Sequence, residues 1–155
     1  MKYFLIATVL VLTVINPAFA GLVQETCAKI AKSDPKVNVN FCISALNGDP
    51  SGRMAVSIEQ LGFTSLKLGI ANAINVGLSG AVLESTSTLQ KAVRDIKARD
   101  YMKANLDVLA AMDNYHTCEN QFGERRWETS SLTEENAQSY QLAAISLSIT
   151  NMLRL

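Results

Sequence analysis

Thiol chemistry is the most that this sequence offers. Cys27 and Cys42 sit close enough for a local bridge, and Cys118 has no visible partner. A bridge stabilises a fold by restricting the unfolded chain, whereas a lone thiol reacts only when it is exposed and ionised. Other chemistries lack their parts. The sequence holds one histidine, His116, and an isolated histidine beside a helix end more often caps or is solvated than acts as a base. No Cys-x-x-Cys, His-Glu-x-x-His, Gly-x-Ser-x-Gly or phosphate-binding glycine loop occurs. Gly77-Leu78-Ser79-Gly80 reads as close helix packing or a helix stop. Metal binding needs several converging ligands, and none converge here. The sequence therefore predicts no catalytic residue, no metal and no cofactor, and a protein that acts by binding.

The amino terminus decides the redox setting. Lys2 is followed by an apolar run from Phe4 to Ile15, and Ala18-Phe19-Ala20 ends it in a small-x-small pattern. That is the form of a signal peptide over residues 1–20, removed to leave a chain starting at Gly21. The run is shorter than the ~20 apolar residues a membrane span needs, and no later stretch is apolar enough, so no membrane association is expected. An exported, extracellular protein keeps its disulfides. Residues 21–155 suffice for one domain with a core. Losing Lys2 leaves 13 basic against 14 acidic side chains, a formal charge of −1, which argues against a nucleic-acid partner.

Elements that position these groups read as helices throughout. Beyond Pro50 there is no proline, and apolar residues recur at helical spacing. Leu22, Val23, Cys27 and Ile30 share a face of one short helix, stopped by Ser33-Asp34-Pro35. Val39 to Leu46 forms a second, ended by Asn47-Gly48-Asp49-Pro50. From Met54 a long helix carries Leu66, Ile70, Ala73, Ile74, Gly77, Leu78 and Ala81. Ser85-Thr86-Ser87-Thr88 is expected to break it, with Ser87-x-x-Gln90 as a capping box opening the next helix, where Leu89, Val93 and Ile96 are apolar. Tyr101, Ala104, Val108, Ala111, Met112 and Tyr115 mark a further helix. A polar loop over Gly123 to Ser130 holds Trp127, and Ser131-x-x-Glu134 is a second capping box. Leu142, Ile145, Ile149 and Met152 line the closing helix. The fold class is all-α: an antiparallel, up-and-down four-helix bundle preceded by a helical hairpin. Lys91, Arg94, Lys97 and Arg99 form a basic strip, read either as a solvated face or as contact with an acidic partner.

Several segments resemble the plant invertase and pectin methylesterase inhibitor family. They are Thr26-Cys27-Ala28-Lys29-Ile30, Val39-Asn40-Phe41-Cys42, Leu61-Gly62, Leu89-Gln90-Lys91-Ala92, Arg99-Asp100-Tyr101, Thr117-Cys118-Glu119 and the tail from Gln141 to Thr150. The resemblance implies disulfides paired first to second and third to fourth. Cys27 and Cys42 match the first pair, Cys118 matches the fourth cysteine, and the third is missing. It also implies docking onto pectin methylesterase or invertase.

Against that pattern, roughly two dozen residues are missing between the helix ending near Gly80 and Leu89. The third bundle helix, Ser87 to Ala98, is then truncated to about 18 Å. An apolar groove is expected on Met54–Leu83 and Tyr101–Cys118. Three outcomes follow for Cys118: a homodimer bridged through it, a repacked monomer with a buried thiol, or a poorly folded, nonfunctional product. Invertase inhibitors of the family are associated with a Pro-Lys-Phe motif at the helix link where this chain has Ala98-Arg99-Asp100-Tyr101-Met102-Lys103, so the target stays open between the two enzymes. Candidate target contacts are Lys97, Arg99, Asp100 and Tyr101. The rival reading is a non-inhibitory bundle whose groove takes an apolar ligand or a partner helix.

Overall fold

The computed structural model describes residues 17–76, 80–123 and 133–155. Seven helices run along them: α1 (Pro17–Ser33), α2 (Val39–Gly48), α3 (Pro50–Arg53), α4 (Ile58–Val76), α5 (Gly80–Lys97), α6 (Tyr101–Gly123) and α7 (Thr133–Leu153). The helical class, the hairpin and the bundle agree with the sequence reading. The leader before Pro17, the loop with Trp127, Ser131, and the side chains of His116 and Cys118 lie outside the described residues.

In the hairpin, α1 buries Val23, Thr26, Cys27 and Ile30 on one face, the i, i+3, i+4, i+7 set of a helix. Ser33 Oγ donates to the Ile30 carbonyl at 2.9 Å. Pro35 then sits second in a turn closed by the Val37 N–H on the Asp34 carbonyl at 3.1 Å. Asn38 caps α2, its side chain accepting from the N–H groups of Asn40 and Phe41. The two helices bring Cys27 and Cys42 to a Cα separation of 5.8 Å, where they form a disulfide. Asp49 ends α2 and caps α3, accepting from Ser51 N at 2.8 Å, and pairs with Lys67 of α4 at 3.0 Å. The hydrogen bond from Lys67 holds the Asp49 carboxyl below its usual range. Gly52 packs so closely that a Cβ would collide with the Leu46 carbonyl.

The four bundle rods pack in cyclic order, each of α4, α5, α6 and α7 against its two neighbours, and α7 also touches α1 and α2. This explains the tail composition. Leu142 to Ser146 and Ser148 to Thr150 are all buried, so small and hydroxyl residues are needed where neighbouring backbones come close. Ser146 Oγ donates to Ser65 Oγ at 2.9 Å, and Asn72 Nδ2 donates to Ser139 Oγ at 2.7 Å. Asn105 of α6 donates to Thr150 Oγ1 at 2.8 Å and Asn151 Oδ1 at 3.0 Å. Each of these buried side chains thus meets a partner, which avoids the desolvation cost of leaving it bare. Tyr115 is the largest fully buried side chain, and burial pushes its phenol up to about 12.

Several expectations are corrected. The Ser/Thr run does not break a helix: Ser85, Thr86, Ser87 and Thr88 all lie inside α5. Ser87 Oγ and Thr88 Oγ1 donate to the Glu84 carbonyl at 2.9 Å, the back-bonding by which hydroxyls are accommodated in a helix interior. Consequently the helix expected at Ser87–Ala98 begins at Gly80, is second in the bundle and is not the third, and at 18 residues is close to the 19 of α4. At about 27 Å it also covers the predicted groove, with Leu89, Ala92 and Ile96 packed on Leu66, Ala104, Val108 and Ala111. Finally, α4 starts at Ile58 and not at Met54, since Ser57 Oγ accepts from Gln60 N at 3.2 Å and Gln60 Oε1 accepts from Val56 N at 2.7 Å. Ile74, expected on its core stripe, is exposed.

Candidate docking site

All four residues singled out as target contacts converge on the tight corner between α5 and α6. Arg99 N donates to the Ile96 carbonyl and Asp100 N to the Asp95 carbonyl, both at 2.9 Å. These two bonds are a Schellman close to α5. It requires a left-handed residue, and Arg99 occupies that position with φ of 59°, where glycine is the usual choice. Asp100 then opens α6, its Oδ1 accepting from Lys103 N at 3.1 Å and its carbonyl from Ala104 N at 3.0 Å. Tyr101 is half-buried, its hydroxyl donating to Glu59 Oε2 at 3.2 Å. Burial, followed by the Glu59 charge, raises the phenol above its ordinary value.

The corner thus divides into two kinds of residue. Asp100 and Tyr101 fix the backbone, one as a cap and the other as a tether to the first turn of α4. Lys97 and Arg99 project into solvent, and with Lys91 and Arg94 they make no ion pair among the described residues. Sequence reasoning missed Glu59, which lies 42 residues from Tyr101 and gives no local signal.

Beneath the basic strip lies an acidic pair that was also missed. Asp95 of α5 and Asp107 of α6 face each other, and Lys103 Nζ stands 3.5 Å from Asp95 Oδ1. Among the described residues, Asp95 Oδ2 and Asp107 Oδ2 are buried without a donor. Like charges brought together disfavour ionisation. Burial, then the hydrogen bond and charge of Asp95, raise the Asp107 carboxyl, against the pull of Lys91 and Lys103. Cys27 and Cys42 lie apart from this corner in the hairpin and serve the fold.

No family model matches the chain. Relatives from Platanus acerifolia and Platanus orientalis, each named "Putative invertase inhibitor", are 35% identical and cover 86% of this chain and 86% and 91% of their own lengths. Pectinesterase inhibitor 12 of Arabidopsis thaliana is 31% identical over 85% of this chain and 87% of its own. This chain belongs to the invertase and pectin methylesterase inhibitor family. The family fold agrees: a crystal structure of a pectin methylesterase inhibitor from Arabidopsis thaliana superposes with a TM-score of 0.57 at 22% identity, covering 86% of this chain and 96% of that one. A mutant form of such an inhibitor gives a TM-score of 0.58 over 80% and 96%. Within the family frame, α1 and α2 carry the first cysteine pair as a disulfide. No helix among the described residues is long and apolar enough to cross a membrane.

Proposed function

We propose that this chain is an exported inhibitor that docks onto a cell-wall carbohydrate enzyme, pectin methylesterase or invertase, and blocks its active site without chemistry of its own. The observation that carries the reading is the shared identity with inhibitor-named proteins over more than four-fifths of both chains. Export follows from the leader over residues 1–20, cleaved before Gly21, within the first turns of α1. The α5–α6 corner supplies the contact. Its backbone is fixed by the Schellman bonds, the Asp100 cap and the Tyr101–Glu59 tether, so presenting Lys97 and Arg99 to a partner costs little ordering entropy. Two exposed cations suit an acidic rim around an enzyme cleft.

The test is inhibition of purified pectin methylesterase and invertase by the secreted chain, alongside a Lys97→Ala/Arg99→Ala variant. Inhibition of one enzyme, weakened about tenfold or more in the variant with an unchanged circular dichroism spectrum, is expected. Inhibition untouched by the double substitution removes the corner from the interface. Failure to inhibit either enzyme overturns the function.

A further inference from the structure

Helix α6 carries an apolar stripe on the side facing away from the bundle. Met102, Leu106 and Leu109 are 61%, 60% and 44% exposed. At 100° per residue they fall with Asp113 within about 60° of arc, opposite the buried Ala104, Val108, Ala111 and Tyr115. Three large apolar side chains at i, i+4 and i+7 form the pattern with which one helix docks on another, and no described element of this chain covers them.

We propose that this stripe is a dimerisation surface that takes α6 of a second copy of the chain, antiparallel about a two-fold axis between Leu106 and Leu109. The occupant is set by the charges along the helix. At its amino-terminal end Lys103 is exposed beside the stripe, with Arg99 and Asp100 offsetting each other just before it, and at the carboxyl-terminal end of the stripe Asp113 is exposed. Reversed on itself, the helix is self-complementary, as a two-fold interface must be. Leu106 faces Leu109 of the copy, and Met102 lies against Asp113 of the copy with Lys103 beside it, at both ends. Lys103 stands 3.5 Å from Asp95 Oδ1 with 64% of its side chain exposed, so turning to Asp113 of the copy exchanges one carboxylate partner for another. Antiparallel helix dipoles add a small attraction. A parallel arrangement would instead set like charges together at each end. The contact is short, so the dimer is weak, with a dissociation constant of roughly tens to hundreds of micromolar.

Sedimentation equilibrium of the secreted chain and of a Cys118→Ser form, from about 10 µM to 1 mM, tests this. A mass rising toward the dimer in both is expected, with Leu106→Glu raising the dissociation constant at least about tenfold. Added salt should weaken the native dimer by screening Lys103–Asp113. In Asp113→Lys the sign inverts: association is weakest at low salt and recovers as salt screens the repulsion. A monomer at every concentration overturns the proposal, as does a dimer lost in Cys118→Ser or indifferent to Leu106→Glu. A chain that stays monomeric while Leu106→Glu abolishes enzyme inhibition assigns the stripe to the enzyme and also overturns it. The inhibition assay fails or succeeds independently of self-association, so the two readings are separable.

Discussion

Replacing Arg99 with glycine should make the protein more stable and a poorer inhibitor at once. Arg99 holds φ of 59° at the close of α5, a conformation that costs an L side chain about 1–2 kcal/mol. Glycine removes that cost but gives back about 0.5–1 kcal/mol through the greater freedom of its unfolded state. The net is a stabilisation of about 0.5–1 kcal/mol. For a domain of this size about 3 °C accompanies each kcal/mol, so thermal unfolding by circular dichroism should show a midpoint about 2–3 °C higher. Asparagine, which tolerates the left-handed region through its short polar side chain, should fall between arginine and glycine. Inhibition should weaken in both variants because the guanidinium is gone. A midpoint that stays or falls in Arg99→Gly refutes the reasoning: the arginine side chain would then be making a folded-state interaction that offsets its backbone. A midpoint that rises with inhibition intact would leave the arginine without a role in docking.

Other substitutions test separate parts of the fold. Cys27→Ala/Cys42→Ala opens a loop with a separation of 15 residues, worth about 3 kcal/mol, and should lower the midpoint by about 10 °C; an unchanged midpoint would show the hairpin uncoupled from the core. Asn105→Ala removes the bonds to Thr150 and Asn151 and the one that Arg154 donates to Asn105 Oδ1 at 3.3 Å, and should cost about 1–2 kcal/mol in urea unfolding. Asp107→Asn should raise the midpoint at pH 7, because a carboxyl with a raised folded value contributes stability present below its unfolded pKa of about 3.9 and lost as pH rises through the folded one. The gain should vanish as the buffer approaches that acid limit; a gain independent of pH would mean that charge is not its cause.

The sequence was legible where a local pattern decides the structure. The spacing of Val23, Cys27 and Ile30 marks α1, Asn38 and Asp49 are readable caps, and the absence of proline beyond Pro50 agrees with the long rods. Ser85 to Thr88 misled because hydroxyl-rich runs favour caps and turns only when the helix carbonyls are out of reach; here Glu84 takes both hydroxyl protons. Ser57-x-x-Gln60 carried a capping signal that went unread. At the corner, Asp100 as a cap was legible in principle, but the Tyr101–Glu59 and Asp95–Asp107 pairings join different helices and leave no trace in local spacing. The stripe on α6 shows the opposite failure. Met102, Leu106 and Leu109 have helical periodicity, which reveals that a face is apolar but not whether anything covers it.

The central position of α7 sets an order of events during synthesis. Asn38 N donates to Gln141 Oε1 across 103 residues, and at about 5–20 residues per second the ribosome needs roughly 5–20 s to make the second partner after the first. Both ends of the disulfide, only 15 residues apart, emerge long before that. The hairpin can therefore be sealed covalently while Val23, Ile30 and Leu46 still await the helix that buries them. For those seconds the nascent chain carries an uncovered apolar face, the interval in which a partly made chain is most exposed to aggregation.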